Sequence, residues 1–418
     1  MINREWTPCT VYTLSNQVDS YGQKRLTYSQ KDSREIVIKH YERGVVNNPR
    51  YLDVEYIALI KGDVFTYQLI QVGDTYYRII DTIYAPKFTQ VFLKVTDERP
   101  VPVDVDYFTI TCTEAGTEGQ GEWGNIYIYN GLSGYFPKLL YSVNDEEWKY
   151  YGDGLGDDDP RIYLHKGDKV RFKAPPEGTW GMNTQAISSN ASGLANKFNL
   201  YNGEFSASGD ITTLIDQYGG VEDLSTVGDG NFCFSRIFEF ENHLKSIANL
   251  KLPKIIGSRS FHYTFHDTFI HDLPDLSHIE KIYYNGMGCA FRDCYAMQET
   301  TVDLSSVNEY VVDKTKTYQY ALNATFWGTP NITKVKLSSA PLGKRSCHKM
   351  LQDYNAIQEV EVGFNDWGPD NIGCNDWLLT SNETEPAILK CPTELGTDET
   401  ILRGTSYCPE GWTVINTD

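Results

Sequence analysis

The sequence lacks long apolar runs. No window of 18 apolar residues occurs anywhere in the 418-residue chain, whereas a helix that crosses a bilayer needs about 20. Residues 1–6 (MINREW) do not lead a basic stretch into an apolar one, as a secretory signal would. We therefore expect no membrane partner and no secretion, and a reducing cytoplasm as the place of assembly.

The short motifs of common catalytic and phosphate-binding sites are also missing. There is no GxSxG, no HExxH and no glycine-rich phosphate loop. A pair of carboxylates for glycoside hydrolysis could still come from distant strands, because such pairs need no fixed spacing. We expect a protein that is not an enzyme and that uses no cofactor, with that one alternative left open.

Basic residues become scarce after residue 103. Residues 1–103 carry 13 Lys and Arg against 12 Asp and Glu, and the remainder carries 24 against 44, which holds nearly all of the net charge of −19. An acidic surface repels phosphate backbones, so we expect no sequence-specific nucleic-acid partner. By the same reasoning a ligand of the later part should be neutral or cationic.

Methionine is rare and tyrosine is abundant, with 5 and 29 residues respectively. Tyrosine and β-branched residues fit a pleated sheet better than a helix. The composition therefore predicts a mainly β chain, and 418 residues are enough for several domains.

What the sequence does contain is a repeat between Phe232 and Val362. An aromatic or leucine anchor is followed each time by spaced apolar residues, and the anchors are 27, 26, 35 and 25 residues apart. Units of this length cannot bury their apolar side alone and must stack into a solenoid. The predicted anchors are Phe238, Phe265, Phe291, Phe326 and Leu351.

The nine cysteines contain no CxxC pair, and their odd number leaves at least one thiol free. Four of them fall at similar places in successive repeats, where a small buried residue is useful: Cys289, Cys294, Cys347 and Cys374. We favour core packing over disulfides for these residues.

The segment 99–103 (RPVPV) is an extended connector that cannot continue a helix. It marks a boundary between a small antiparallel β-barrel or sandwich at 1–103 and a β-sandwich module at 104–200, both rich in strand-like segments separated by turn residues. The repeat array with a C-terminal cap then occupies 201–418.

Residues 139–418 resemble the BspA-like leucine-rich repeat proteins of gut Bacteroidetes and their phages. The likeness is carried by segments such as 249–253 (NLKLP), 289–294 (CAFRDC) and 409–415 (PEGWTVI). It implies a leucine-rich repeat solenoid that adheres to a host or mucosal surface. The second repeat lacks the usual cysteine and the gap from Phe291 to Phe326 holds an insertion, so the number of stacked units stays open.

Residues 1–98 are similar to the head–tail connector proteins, stoppers or adaptors, of tailed bacteriophages. The similarity lies in a first strand at 9–14 (CTVYTL), a late hairpin at 74–83 (DTYYRIIDTI) and a final strand at 89–95 (TQVFLKV). It implies a compact barrel in a homo-oligomeric ring, with the portal or adaptor ring and tail components as partners.

Two places could hold a metal ion. His262 and His266 are four residues apart, which on a helix would form one face of a zinc site, but no third ligand is suitably spaced. Residues 152–159 (GDGLGDDD) gather carboxylates around Asp157 without the register of a calcium loop. We expect solvated or core-edge histidines, a solvated acidic turn and no metal at both places, with calcium near Asp157 left open.

Four aromatic residues lie in or beside turns between repeats, where a ring next to Asn and Asp suits a sugar or a protein surface. The alternative is that they pack between neighbouring repeats. The candidates are Trp327, Tyr354, Trp367 and Trp377.

Taken together, these features predict a structural protein of a tailed phage virion, at the neck or on the capsid surface. The most specific hypothesis is a head-closure component of the neck with an outward repeat domain for adhesion to host or mucosal glycans or proteins. The alternative is a capsid decoration or fibre-base protein that displays the same repeats.

Overall fold

Strands and turns, and no α-helix, make up the described part of the chain. The computed structural model describes residues 6–15, 27–40, 54–66, 68–97, 101–102, 105–116, 123–129, 139–151, 160–175, 197–215, 219–227, 232–353, 356–378, 387–404 and 406–417. These residues belong to two units, Met1–Val105 and Asp106–Asp418. None of the described helical segments has the length and apolar character to cross a membrane. The prediction of a mainly β, multidomain chain is confirmed.

The first unit is a closed antiparallel barrel, as predicted. Its strands pair in the order β1–β4–β5–β6–β3–β2, and β2 pairs with β1 to complete the ring. A short strand, β7 (Val101–Pro102), lies parallel to β2. The six barrel strands are β1 (Thr7–Ser15), β2 (Thr27–His40), β3 (Tyr56–Ile60), β4 (Gln68–Val72), β5 (Thr75–Ala85) and β6 (Phe88–Thr96).

Alternation along the strands fills the barrel. Side chains of every second residue point to the same side of a strand, and the inward set is apolar. The tight hairpin between β4 and β5 needs Gly73, whose φ of 59° suits the two-residue turns that match strand twist. The barrel core contains Val11, Ile36, Ala58, Ile60, Ile70, Ile79, Val91 and Leu93.

The second unit begins with two sheets. A six-stranded sheet has the order β11–β10–β13–β8–β15–β16, and a three-stranded sheet has the order β12–β9–β14. The strands are β8 (Phe108–Ala115), β9 (Gly124–Tyr129), β10 (Leu140–Val143), β11 (Lys149–Tyr150), β12 (Ile162–Leu164), β13 (Lys169–Lys173), β14 (Lys197–Tyr201), β15 (Gly203–Asp210) and β16 (Leu244–Lys251).

No division occurs near residue 200, where the sequence suggested a boundary. The two sheets and the repeats share one continuous apolar core. The ring of Phe238, the first repeat anchor, lies 5.3 Å from Phe198 and 6.2 Å from Phe108. The strand β16 pairs in parallel with β15, so the six-stranded sheet leads directly into the repeats.

The described residues between Phe232 and Thr417 wind in coils that stack by parallel pairing; we call this region the coil stack. One wall is a sheet of the order β17–β18–β20 and another is a sheet of the order β19–β21–β22–β23–β24. The strands are β17 (Ile255–Ile256), β18 (Lys281–Ile282), β19 (Thr300–Leu304), β20 (Glu309–Tyr310), β21 (Ile332–Leu337), β22 (Glu359–Val362), β23 (Ile388–Cys391) and β24 (Thr413–Asn416).

The remaining wall, which we call the turn face, is built from runs of consecutive turns. Along each run, backbone amides donate alternately to a carbonyl of the same coil and to a carbonyl of the next coil. For example, His266 N–H donates to Tyr263 O at 3.3 Å within its coil, and Phe265 N–H donates to Ala290 O at 2.8 Å in the next coil. Every fourth residue takes a positive φ, as at Arg259, Tyr263 and Asp267. These runs therefore satisfy their backbone groups without forming strands or helices.

The repeat anchors lie one above another behind the turn face. Successive rings of Phe238, Phe265, Phe291 and Phe326 stack at 5.4–5.7 Å with interplanar angles of 4–9°. Leu351 continues the column as a fully buried side chain and donates its amide to Trp377 O at 2.8 Å. The stack thus places all five predicted anchors in one column.

The second coil has an irregular segment where its neighbours have strands. Residues 269–278, all described, form no strand, and Pro274 within them lacks the amide that a ladder needs. The carboxylate of Asp272 takes over part of the pairing, because it accepts bonds of 2.6 Å from Ile247 N–H and from Ser246 Oγ.

All nine cysteines fall in described segments, and each is a buried thiol that forms no disulfide there. Burial raises the pKa of the Cys233 and Cys294 thiols to about 12. The expectation of core cysteines rather than disulfides is confirmed.

Candidate binding surface on the coil stack

Two of the four aromatic residues predicted to face solvent are buried. Trp377 is 0% exposed and Trp367 is 4% exposed. Their rings meet edge to face at 6.2 Å, and Trp377 Nε1 donates to Tyr407 O at 2.9 Å. They fill the space between the last coils, so the expectation that they bind a ligand at the surface is wrong. Tyr354 lies outside the described residues.

Trp327 is half-buried on the turn face, but its polar and apolar surfaces are already engaged. Its Nε1 donates to Asp353 Oδ2 at 2.7 Å. The Arg292 guanidinium, from the preceding coil, lies 3.9 Å from the ring centroid, and Lys349 Nζ, from the following coil, lies 5.1 Å from it. The indole therefore joins three coils rather than offering an open face for a sugar to stack on.

Beside Trp327, ionised side chains link successive coils. Arg236 Nη1 lies 2.6 and 2.7 Å from the two oxygens of Glu239. His266 lies between two carboxylates, with Nδ1 3.4 Å from Glu239 Oε1 and Nε2 3.4 Å from Asp293 Oδ2. Arg292 Nε in turn donates to Asp293 Oδ2 at 3.0 Å. We call these five residues the charged chain.

The charged chain favours the ionised forms of His266, Glu239 and Asp293. Burial disfavours the charged imidazole, but the adjacent carboxylates of Asp293 and Glu239 outweigh it and raise the pKa of His266. Burial likewise opposes ionisation of both acids, yet His266 and the neighbouring arginines hold the pKa of Glu239 and of Asp293 below the usual range. Burial raises the pKa of nearby Cys289, so its thiol is not an activated nucleophile.

The two histidines considered as a zinc pair lie on a turn run and not on a helix. Burial, with help from Arg236 and Arg259, lowers the pKa of His262 to about 3, whereas His266 belongs to the charged chain. In the described segments no three His, Cys, Asp or Glu side chains are grouped so that they could hold a metal ion. The acidic segment around Asp157 lies outside these segments.

A second cluster on the turn face combines cations with tyrosines. Arg259 lies 5.2 Å and Lys316 5.4 Å from the ring centroid of Tyr284. Arg345 lies 4.1 Å from that of Tyr318 and donates to the Tyr320 hydroxyl at 3.1 Å. We call this cluster, which no sequence motif indicated, the basic corner: Arg259, Tyr284, Lys316, Tyr318, Tyr320 and Arg345.

The barrel unit has an exposed apolar tip of its own. Ile83 and Tyr84 follow each other at the end of β5 and are 50% and 53% exposed. Consecutive strand residues point to opposite sides, so this end of the hairpin projects beyond the barrel wall. Phe65 is 40% exposed and its ring lies 6.2 Å from that of Tyr84.

Comparison with known proteins gave no match to a family model, to a curated protein or to a solved structure. The function of the chain therefore has to be inferred from the closed barrel, the coil stack and the surfaces that they expose.

Proposed function

We propose that the chain is a structural protein of a tailed bacteriophage virion. Its barrel would belong to a head-closure ring at the neck, and its coil stack, as a BspA-like leucine-rich repeat domain, would project outward and adhere to a host or mucosal surface. The observation that carries the proposal is the closed six-stranded barrel, which is a separate unit with its own core.

The two units differ in charge in the way that two roles would require. Residues 1–103, which are nearly neutral with 13 basic and 12 acidic residues, form almost the whole barrel unit. A neutral surface allows close packing of identical copies, which an excess of one charge would oppose. The acidic excess of the rest keeps the displayed part apart from its neighbours.

The apolar tip of the barrel would make the contact between copies. Exposed apolar patches on soluble proteins mark interaction sites. Tyr84 and Phe65 form such a patch, and Ile83 is exposed at the same end of the hairpin. In a ring each copy uses this patch against a different surface of the next copy, because head-to-tail contacts generate rings. Repeated coil stacks around the ring would then bind weak ligands by avidity.

Incorporation into particles tests the proposal. The full chain carrying Ile83→Asp and Tyr84→Ser is expressed in infected cells in place of the wild type, and purified particles are probed for it. We expect wild-type protein in the neck and loss of the variant from particles. The matched control is Tyr295→Ser, which alters a side chain that is 59% exposed on the other unit.

Three outcomes decide the matter. Absence of the wild-type chain from particles, or normal incorporation of the tip variant, contradicts the ring proposal. A position on capsomers, seen in a particle reconstruction, replaces it with the capsid decoration alternative.

A further inference from the structure

One repeat in the coil stack is longer than the others. Anchors lie 25–27 residues apart except between Phe291 and Phe326, where the spacing is 35. The extra length forms a loop at residues 311–318, after β20, that carries Lys314, Lys316 and Tyr318. Insertions in repeat proteins gather on one face, which is often the binding face.

Hydrogen bonds from the buried Gln319 and within the loop itself fix the course of its backbone. The Gln319 side chain is buried, and its Oε1 accepts from Asp313 N–H at 2.7 Å while its Nε2 donates to Asp313 O at 3.2 Å. The Asp313 carboxylate accepts from Thr315 N–H at 2.8 Å and Thr315 Oγ1 at 2.6 Å. The backbone of the loop therefore needs little ordering on binding, which leaves only the lysine side chains to be fixed.

The loop contributes residues of the basic corner that contact the coil before it and the coil after it. Lys316 reaches Tyr284 of the preceding coil, and Tyr318 lies under Arg345 of the following coil. At a strand separation of about 4.8 Å, the step from the coil of Arg259 to that of Arg345 is roughly 14 Å. No carboxylate of the described segments forms an ion pair with Arg259, Lys316 or Arg345, and nearby Asp370 is paired with Lys344 at 2.5 Å.

We propose that the basic corner binds an anionic glycan, one whose sugars carry carboxylate or sulfate groups. The inference rests on the proposed display role of the coil stack and names its ligand class. Guanidinium groups pair with such anions through two parallel hydrogen bonds. Tyr284, Tyr318 and Tyr320 hold the cations in place, so the charges are ordered before the ligand arrives.

The proposal reverses the expectation of a neutral or cationic ligand. That expectation treated the acidic excess as evenly spread, whereas the corner groups Arg259, Lys316 and Arg345 at one place. A nucleic acid fits less well. The cations cover the tyrosine faces on which bases would stack, and a long polyanion would meet the acidic remainder of the unit.

Binding to immobilised glycans tests the inference with the full chain. The probes are heparin and polygalacturonate as anionic glycans, dextran as a neutral one, and single-stranded DNA. The test variant is R259Q/K316Q/R345Q, and the control K169Q/K334Q/K336Q removes three charges elsewhere on the same unit. We expect binding to at least one anionic glycan, with about tenfold or greater loss in the test variant and no comparable loss in the control.

Three other outcomes would each overturn the inference. They are no binding to either anionic glycan, preferential binding of dextran or DNA, and an equal loss of glycan binding in the test and control variants. Thermal unfolding of all proteins shows whether the test variant folds; if it does not, the exposed change Lys316→Gln alone must reduce binding. Particle incorporation is scored separately. Incorporation of the test variant without glycan binding supports both proposals, whereas glycan binding by a chain that is absent from particles removes only the virion role.

Discussion

The rings of Phe265 and Phe291 lie 5.4 Å apart and only 4° from parallel. The two residues belong to successive coils, so each ring packs against its counterparts in the neighbouring coils. Parallel stacking at this distance repeats through Phe238 and Phe326. The stability of any one coil therefore depends on its neighbours, as in other repeat proteins.

Replacing the central ring should destabilise the whole coil stack. Phe291→Ala removes contacts to two coils at once and should lower the free energy of unfolding by about 3–5 kcal/mol. Phe269→Ala, which alters a ring that is 41% exposed, is the control and should cost much less. Denaturant unfolding measures both, and a loss below about 1 kcal/mol for Phe291→Ala would contradict the stacked arrangement.

Stability should depend on pH through His266. Its pKa is raised in the folded protein, so its stabilising effect is complete below the unfolded pKa of about 6.5 and disappears as the pH rises through the folded value. The pKa values of Glu239 and Asp293 are lowered, so their effect is present above about 4.3 and is lost as the pH falls through the folded values. The stability of the wild type should therefore exceed that of His266→Gln by the largest amount between about pH 4.3 and 6.5.

Melting temperatures of wild type and His266→Gln between pH 4 and 9 measure this difference, with His278→Gln as the control for loss of an imidazole. If the difference in melting temperature between wild type and His266→Gln grew as the pH rose above 7, the proposed stabilisation by charged His266 would be contradicted. An NMR titration adds a direct readout, because His262, with a pKa near 3, should stay neutral where His266 is charged.

The cysteines should not react with thiol reagents in the native state. All nine are buried, and burial raises the pKa of Cys9 and of Cys408 to about 11, so thiolate is scarce at neutral pH. Reaction with an aromatic disulfide should yield fewer than one thiol per native chain and nine after denaturation. Rapid reaction of one native thiol would show that a cysteine-bearing segment opens to solvent.

The Asp272 carboxylate should matter more than an ordinary surface acid. Asp272→Ala leaves Ile247 N–H without its 2.6 Å acceptor, and an unsatisfied amide of this kind costs about 1–3 kcal/mol. Asp303→Ala is the matched control, because among the described residues the Asp303 carboxylate accepts bonds from nearby Ser305 alone. Equal unfolding free energies for the two variants would show that water replaces the carboxylate at Ile247.

The sequence predicted the fold where a physical requirement recurs along it. Each coil needs a large apolar side chain at the same place, so Phe238 through Phe326 could be recognised by spacing. Barrel strands alternate, and the hairpin at Gly73 has a turn signature. The sequence did not indicate that one apolar core continues across residue 200. That core depends on contacts of Phe238 with Phe108 and Phe198, which are distant from it in the chain.

The surface was harder to predict for two identifiable reasons. Turn runs have a period of four residues, so His262 and His266 have the spacing of a helical pair although no helix forms there. Trp367 and Trp377 sit beside turns in the sequence, but the last coils enclose them. A net charge summed over hundreds of residues likewise does not show that Arg259 and Arg345 lie on the same part of the surface.

The positive φ angles of the turn face restrict which side chains it can display. Across the described residues, nineteen non-glycine positions adopt this conformation, and none of them is Val, Ile or Thr, whose branched Cβ would clash with the backbone. Arg236, Arg259, Tyr263, Arg345 and Lys349 are among these nineteen. Sequence diversity at these positions is therefore confined to residues without a branched Cβ, so a library built to change ligand preference can omit Val, Ile and Thr there.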